Sequence, residues 1–299
     1  MTVLEDRALP VESPSGPAPV VAGRRRGRRA FRRYCRNVPA VISAVFVLFL
    51  VVIAALGDLI TQFPPANQNI LENLQAPGAA HWLGTDEYGR DLLSRIMVGS
   101  RVSLIVGVLS VCIVLIIGVA IGLAAGYLRR AEGPLMRFVD ICMSIPDFML
   151  LLVLISLFGT GTYKVVLFIG VSAWMSTARL VRGQVLKLRS MEFVLASETI
   201  GSGTIRIMRK DLLRNVLDVV VVQATLTISL VILLESALSY LGIGAQPPTP
   251  SWGNMLSEGS DYLSQAWWIA TFPGIAIFLT VMSFNFIGDG IRDALDVRM

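Results

Sequence analysis

Six long apolar runs dominate the pattern of this chain, at about 39–61, 102–128, 135–158, 164–182, 217–243 and 267–289. Each is near the roughly 20 residues that an α-helix needs to cross about 30 Å of hydrocarbon. Without water in a bilayer core, only helices and closed barrels satisfy every backbone group, and runs of this length point to helices. The pattern therefore predicts an all-α polytopic membrane protein with six transmembrane helices. The third and fourth runs are separated only by Gly159–Gly161, which predicts a tight helical hairpin. Between the fourth and fifth runs lies a longer segment, 183–216, in which Phe193, Val194, Leu195, Ile200, Ile205 and Leu213 alternate with Lys187, Arg189, Arg206, Arg209 and Lys210. Gly201 and Gly203 interrupt it, so it predicts two short amphipathic helices joined at a glycine turn. Such a segment either lies on a lipid surface or docks on a partner.

Charge adds an orientation. If the N-terminus is inside, the inner segments and the inner ends of adjoining spans hold 22 of the 26 Lys and Arg, leaving Arg90, Arg95, Arg101 and Lys164 outside. That asymmetry predicts both termini on the cytoplasmic side. Residues 1–23 contain Pro10, Pro14, Pro17 and Pro19 among small and polar residues, and eight arginines follow between Arg24 and Arg36. Residues 1–38 are thus expected to be a disordered, Arg-rich cytoplasmic tail, with 39–299 as the transmembrane domain. The run Ala40–Ala55 is too long for a typical signal peptide and is read as a retained helix. The net charge of +5 sits beside apolar spans, which favours a phospholipid surface over nucleic acid as partner. The 54% apolar content exceeds the roughly 45–50% of soluble domains.

Candidate chemistry is sparse, and no catalytic, metal-binding or cofactor-binding residue is assigned. Cys35, Cys112 and Cys142 are odd in number and lie in or near spans, so no disulfide is expected. His81 is the only histidine, and no cluster has metal-ligand spacing. Asp86, Glu87 and Asp91 lack the spacing of a calcium loop and are expected to form local caps and ion pairs with Arg90 and Arg95. Lys164, Lys187 and Lys210 never follow a glycine, so a phosphate-binding loop is absent and ATP hydrolysis is not assigned to this chain. Glu235 should lie near the outer end of the fifth span, and it either bonds a neighbouring helix or the 245–256 loop, or meets substrate. Asn285 is expected to hydrogen-bond across helices. Asp289, Arg292, Asp293 and Asp296 share one helix face, suited to salt bridging or to a cytoplasmic gate or ATPase contact. The prolines and Trp252 of the 245–256 loop suit a stiff external cap with an interfacial tryptophan, set either against a partner or over the chain's own helices.

The segment 183–216 resembles the coupling loop of bacterial ABC importer permeases, whose pattern is Glu-Ala-Ala, three residues, Gly, then an apolar run ending Leu-Pro. Ala196, Gly201 and Leu213 match it, while Leu195, Ser197 and Arg214 replace the glutamate, the second alanine and the proline. Stretches 81–107, 236–256 and 272–299 are similar to corresponding parts of the dipeptide/oligopeptide/nickel importer group, closest to its C-type permease, and Val297 stands where that group usually has proline. The resemblance covers roughly 39–299 in the same order. It implies the type I ABC importer permease architecture and a heterodimer with a B-type permease. It also implies one or two ABC ATPase subunits carrying ATP and magnesium, and an extracytoplasmic substrate-binding protein. Ala196, Ser197, Gly201, Ile205 and Leu213 would couple the chain to its ATPase. Short peptides are the implied substrates; nickel or another small solute is the alternative within the group, and an ATP-independent channel or ion-coupled transporter the alternative outside it.

Overall fold

A computed structural model of the chain describes residues 31–246 and 248–295. The tail at 1–30, Asp296 and Val297 lie outside the described residues. Among those described, the secondary structure is helical apart from one isolated bridge between Thr85 and Asp91. The helices are α1 (Val38–Ile60), α2 (Leu92–Tyr127), α3 (Arg129–Met143), α4 (Asp147–Phe158), α5 (Thr162–Ser172), α6 (Trp174–Leu188), α7 (Glu192–Thr199), α8 (Thr204–Tyr240), α9 (Trp252–Ser260) and α10 (Trp268–Leu295). Five helical stretches are long and apolar enough to cross a membrane, with a sixth if the bent pair α3–α4 counts as one crossing.

Several boundaries differ from the hydropathy pattern, each for a local reason. The second span begins at Leu92 and not at 102, because Asp91 caps the helix by accepting the Ser94 N–H at 2.8 Å. The polar residues of its first turns, Ser94 and Arg95, are buried in protein, so low hydropathy there does not mark an end. The third apolar run is no straight span: α3 and α4 meet at 80°. Pro146 lacks an N–H and disfavours helical backbone at Ile145, which breaks the helix there. The fourth span is likewise two pieces, interrupted at Ala173. The second short helix expected in 183–216 is instead the start of α8, which runs on through a π-helical stretch, Ile207–Leu212, into the membrane segment. That wider turn keeps Ile207 and Leu212 buried while Arg209 and Lys210 stay exposed.

Helix α2 is the axis of the molecule, packing against α1, α3, α5, α6 and α8, and α10 closes against α1, α8 and α9. Its tightest contact is with α6. Gly118, Gly122 and Gly126 recur every fourth residue and so form one stripe. A Cβ at these positions would stand 2.7, 2.6 and 2.6 Å from the Cβ atoms of Thr177, Val181 and Val185. Between helices in lipid, where the hydrophobic effect gives no drive to associate, such close backbone approach is the main source of packing energy. Replacing Gly122 by Leu should separate α2 from α6, at a cost of at least roughly 1–3 kcal/mol. Gly183→Ala is the control, because a Cβ there meets nothing within 4 Å. Thermal unfolding in detergent should show a lowered midpoint for the first variant and an unchanged or raised one for the second.

Candidate functional site

Directly beyond the α2–α6 pair the chain turns through α7. The helix ends in a closed cap: the Gly201 N–H donates to Glu198 O at 2.9 Å and the Ser202 N–H to Ser197 O at 3.0 Å. This geometry needs a left-handed residue, and Gly201 has φ +76° with open space around it. Glycine is therefore required by backbone conformation and not by crowding. One apolar residue, Val194, points inward and joins Leu123, Val181, Val185, Ile207 and Val216 in a buried cluster. Tyr127 Oη donates to Glu198 Oε1 at 2.9 Å, and an Arg189 Nη1–H donates to Gly126 O at 3.2 Å, tying the turn to the end of α2. Around this anchored frame Met191, Phe193, Leu195, Ile200 and Ile205 stand exposed, Ile200 at 81% and Ile205 at 79%. Ala196 is exposed, Ser197 half-buried, and Leu213, also half-buried, packs against the Val194 cluster.

The opposite end of the molecule is a cap held by charge. Asp86 is wholly buried and accepts from the N–H groups of Tyr88 and Arg90, both at 2.9 Å. It also pairs with Arg90 Nε at 2.6 Å and with the Arg95 guanidinium. Both arginines reach Glu258 on α9, at 3.0 and 2.9 Å. Asp86, Glu87 and Glu258 converge closely enough to suggest a cation site, but Arg90 and Arg95 already pair with Asp86 and Glu258. His81 Nδ1 lies 2.8 Å from Asp91 Oδ1. Trp252, expected at the membrane interface, is fully buried and donates from Nε1 to Ile96 O at 3.0 Å, so this loop closes over the chain's own helices. Glu235 is 1% exposed. It accepts from Ser103 of α2 at 3.1 Å and from Ser239 at 2.8 Å, and Ser239 Oγ in turn accepts the Ala245 N–H at 3.2 Å. Its geometry joins α8 to α2 and to the following loop.

Residues 114–299 match the family described as binding-protein-dependent transport system inner membrane component, and residues 26–77 match the N-terminal TM domain of oligopeptide transport permease C. The chain is 41% identical to the dipeptide transport system permease protein DppC of Bacillus subtilis, over 90% of this chain and 85% of that one. That observation decides the family. The chain belongs to the binding-protein-dependent inner membrane components. Within the family it is also 37% identical to the glutathione transport system permease protein GsiD of Pectobacterium atrosepticum, over 91% of each chain. It is 34% identical to the oligopeptide transport system permease protein OppC of Bacillus subtilis, over 90% of this chain and 89% of that one. Among solved structures, a chain of the MetNI methionine ABC transporter in an inward-facing form has the same fold, with TM-score 0.54 at 22% identity over 68% of this chain and 96% of that one.

As an inner membrane component of this family, the chain departs from the coupling-loop pattern at Leu195, Ser197 and Arg214, the first two on α7 and the third on α8. Leu195 is 48% exposed and Arg214 is exposed on α8, so neither substitution disturbs the core. Asn285 is half-buried on α10, and its amide makes no hydrogen bond among the described residues, contrary to the expected cross-helix bond. On the polar face of α10, Asp293 accepts from Asn37 Nδ2 at 3.3 Å, and Asp289 and Arg292 are exposed without an ion pair among the described residues, so salt bridging, one of the two readings of this face, is not seen there. Sequence reasoning missed Glu258, whose role depends on α9 folding back over α2. It also missed the glycine stripe, although the GVAIGLAAG spacing of 118–126 was there to be read.

Burial, with Asp86 and Glu258 close by, pushes the Glu87 carboxyl above its ordinary value of 4.5. Arg90 is 3.4 Å away but engaged elsewhere, and Glu87 Oε2 is buried without a partner. A raised carboxyl contributes stability that is fully present below pH 4.5 and lost as pH rises through its folded value. Glu87→Gln should therefore raise the unfolding midpoint near pH 8 by about 2 °C. The gain should vanish below pH 4.5 in the same thermal scans. Asp86→Ala, which leaves Arg90 and Arg95 to share Glu258 and takes the acceptor from two N–H groups, should cost roughly 3–5 kcal/mol and lower the midpoint near pH 7.

Proposed function

We propose that this chain is one membrane-spanning permease subunit of an ATP-driven importer for short peptides, with six crossings and both termini cytoplasmic. The observation that carries the reading is the exposed apolar turn at 191–205, mounted on the glycine-packed α2–α6 pair. A bare apolar turn on a rigid base suits a groove on a partner protein, and relatives at 34–41% identity are dipeptide and oligopeptide permeases. The distribution of Lys and Arg supports the orientation, because it puts the turn and the basic tail on one side. The complex would comprise this chain, a second permease of B type, one or two ATPase subunits and an extracytoplasmic binding protein. The translocation path would run between the two permeases.

ATP and magnesium on the ATPase subunits would supply the free energy. This chain's part is mechanical. Closure of the ATPase pair moves the docked turn, and the turn moves α2 and α6 as one body because Val194, Glu198 and Arg189 fasten it to them. Alternating access follows from the different affinity of the docked partner for the two arrangements. At the far end, the charge cap and the Glu235 bonds keep α2, α8 and α9 together while the docking end moves. Asp289, Arg292 and Asp293, exposed at the end of α10, are placed to touch the ATPase or a cytoplasmic gate.

The test is purification of the tagged chain from its native membrane in mild detergent. A second permease and P-loop ATPases should co-purify. Combining Ile200→Asp with Ile205→Asp should leave the permease pair assembled but release the ATPases, lowering peptide uptake by about tenfold or more, as for loss of an interface hot spot. Gly201→Asn, tolerated at positive φ, should retain uptake that Gly201→Val or Gly201→Arg loses. Normal uptake by the double aspartate variant would remove the docking role from this turn.

A further inference from the structure

The breaks within the third and fourth apolar runs face each other. The interruption between α3 and α4, at Ser144–Pro146, and the interruption between α5 and α6, at Ala173, border one cavity of about 230 Å³. Asp147, Ser172 and Ser176 supply its polar lining, with Met143, Pro146 and Met175 beside them. A seam of charge leads to it along α3 and α6. Glu132 pairs with Arg182 at 2.5 Å, and one stage further along Asp140 pairs with Arg179 at 2.7 Å. Arg179 and Asp140 are 51% and 60% exposed, which a lipid-facing surface would penalise by several kcal/mol. The seam thus carries exposed charge from the inner ends of the spans toward the cavity.

Of the three carboxylates in that stretch, Glu132 and Asp140 each hold an arginine. Asp147 has no hydrogen bond or ion pair among the described residues and is exposed at the cavity wall. Broken helices that open onto a cavity are the usual way a membrane protein presents polar groups to a substrate. We propose that the cavity at Asp147 is a cation subsite on the translocation path, receiving the protonated amino group of the peptide. Its volume suits an ammonium group and its first substituent, not a whole peptide. Ser172 and Ser176 complete the polar wall, and the paired charges of the seam keep the approach wet without competing for the amine. This inference rests on the peptide-importer reading for its ligand. The negative charge of the subsite stands independently of it.

The experiment places a thiol at the cavity, Ser176→Cys, in a complex whose Cys35, Cys112 and Cys142 have been replaced, and follows its modification by a cationic and an anionic thiol reagent. The cationic reagent should react about tenfold faster, and Asp147→Asn should abolish the preference, as expected for one nearby unit charge. A dipeptide with a free amino terminus should slow labelling; its N-acetylated form should not. Asp147→Asn should remove this protection and raise the KM for peptide uptake about tenfold, while Asp147→Glu restores both. Equal protection by the two peptides, or protection surviving in Asp147→Asn, would overturn the amine site. If the intact complex imports no peptide, the importer reading fails alone: a cationic preference that depends on Asp147 would still establish the subsite, and equal rates would discard it.

Discussion

Everything at the end that carries the exposed turn 191–205 depends on how closely two helix backbones approach. In lipid the hydrophobic effect does not drive helices together, so the contact between α2 and α6 must come from packing itself, and three glycines in register make it available. Because Val181 and Val185 fill the space those glycines leave, the two helices form one body, and Val194 and Ile207 extend that body into the turn beyond. The turn's exposed apolar groups would be an aggregation hazard on a loose loop. On this base they have fixed positions and can serve as a handle.

The opposite end is held by a different physics. Asp86 and Arg95 sit almost free of solvent, and their pairing survives because backbone N–H groups and Glu258 satisfy what the ion pair leaves over. Glu235 is handled the same way, with a hydroxyl for each carboxylate oxygen. Packing rigidity at one end and polar networks at the other leave the broken helices α3–α6 between them as the irregular part of the fold.

The apolar runs made the helical class and the approximate spans legible, because lipid demands long uninterrupted hydrophobicity. They could not show the 80° bend at Pro146, since a broken helix and a straight one have the same composition. They also misplaced the start of α2, where Arg95 and Ser94 are shielded by protein and hydropathy counts them as exposed. The glycine-capped turn was legible from Gly201 and its mixed flanks, but not the division between exposed Ile205 and half-buried Leu213, which depends on the π-helical stretch between them. Asn285 was read from sequence as bonded across helices, and the polar face of α10 as salt-bridged or as a gate or ATPase contact. The Asn37–Asp293 contact joins residues 256 apart, which no local spacing could have shown.

The charge cap also bears on the order in which the protein can be made. Arg90 and Glu258 are 168 residues apart in sequence, and Trp268 donates to Thr85 O across 183. When the first four apolar runs have entered the membrane during synthesis, neither Glu258 nor Trp268 has left the ribosome. Arg90 and Arg95 must wait in water, and the N-terminal part of α2 cannot take its buried place. The cap closes only after the last helix arrives, so its closure marks a completely inserted chain, and a chain truncated before α9 would leave Arg90 and Arg95 without Glu258.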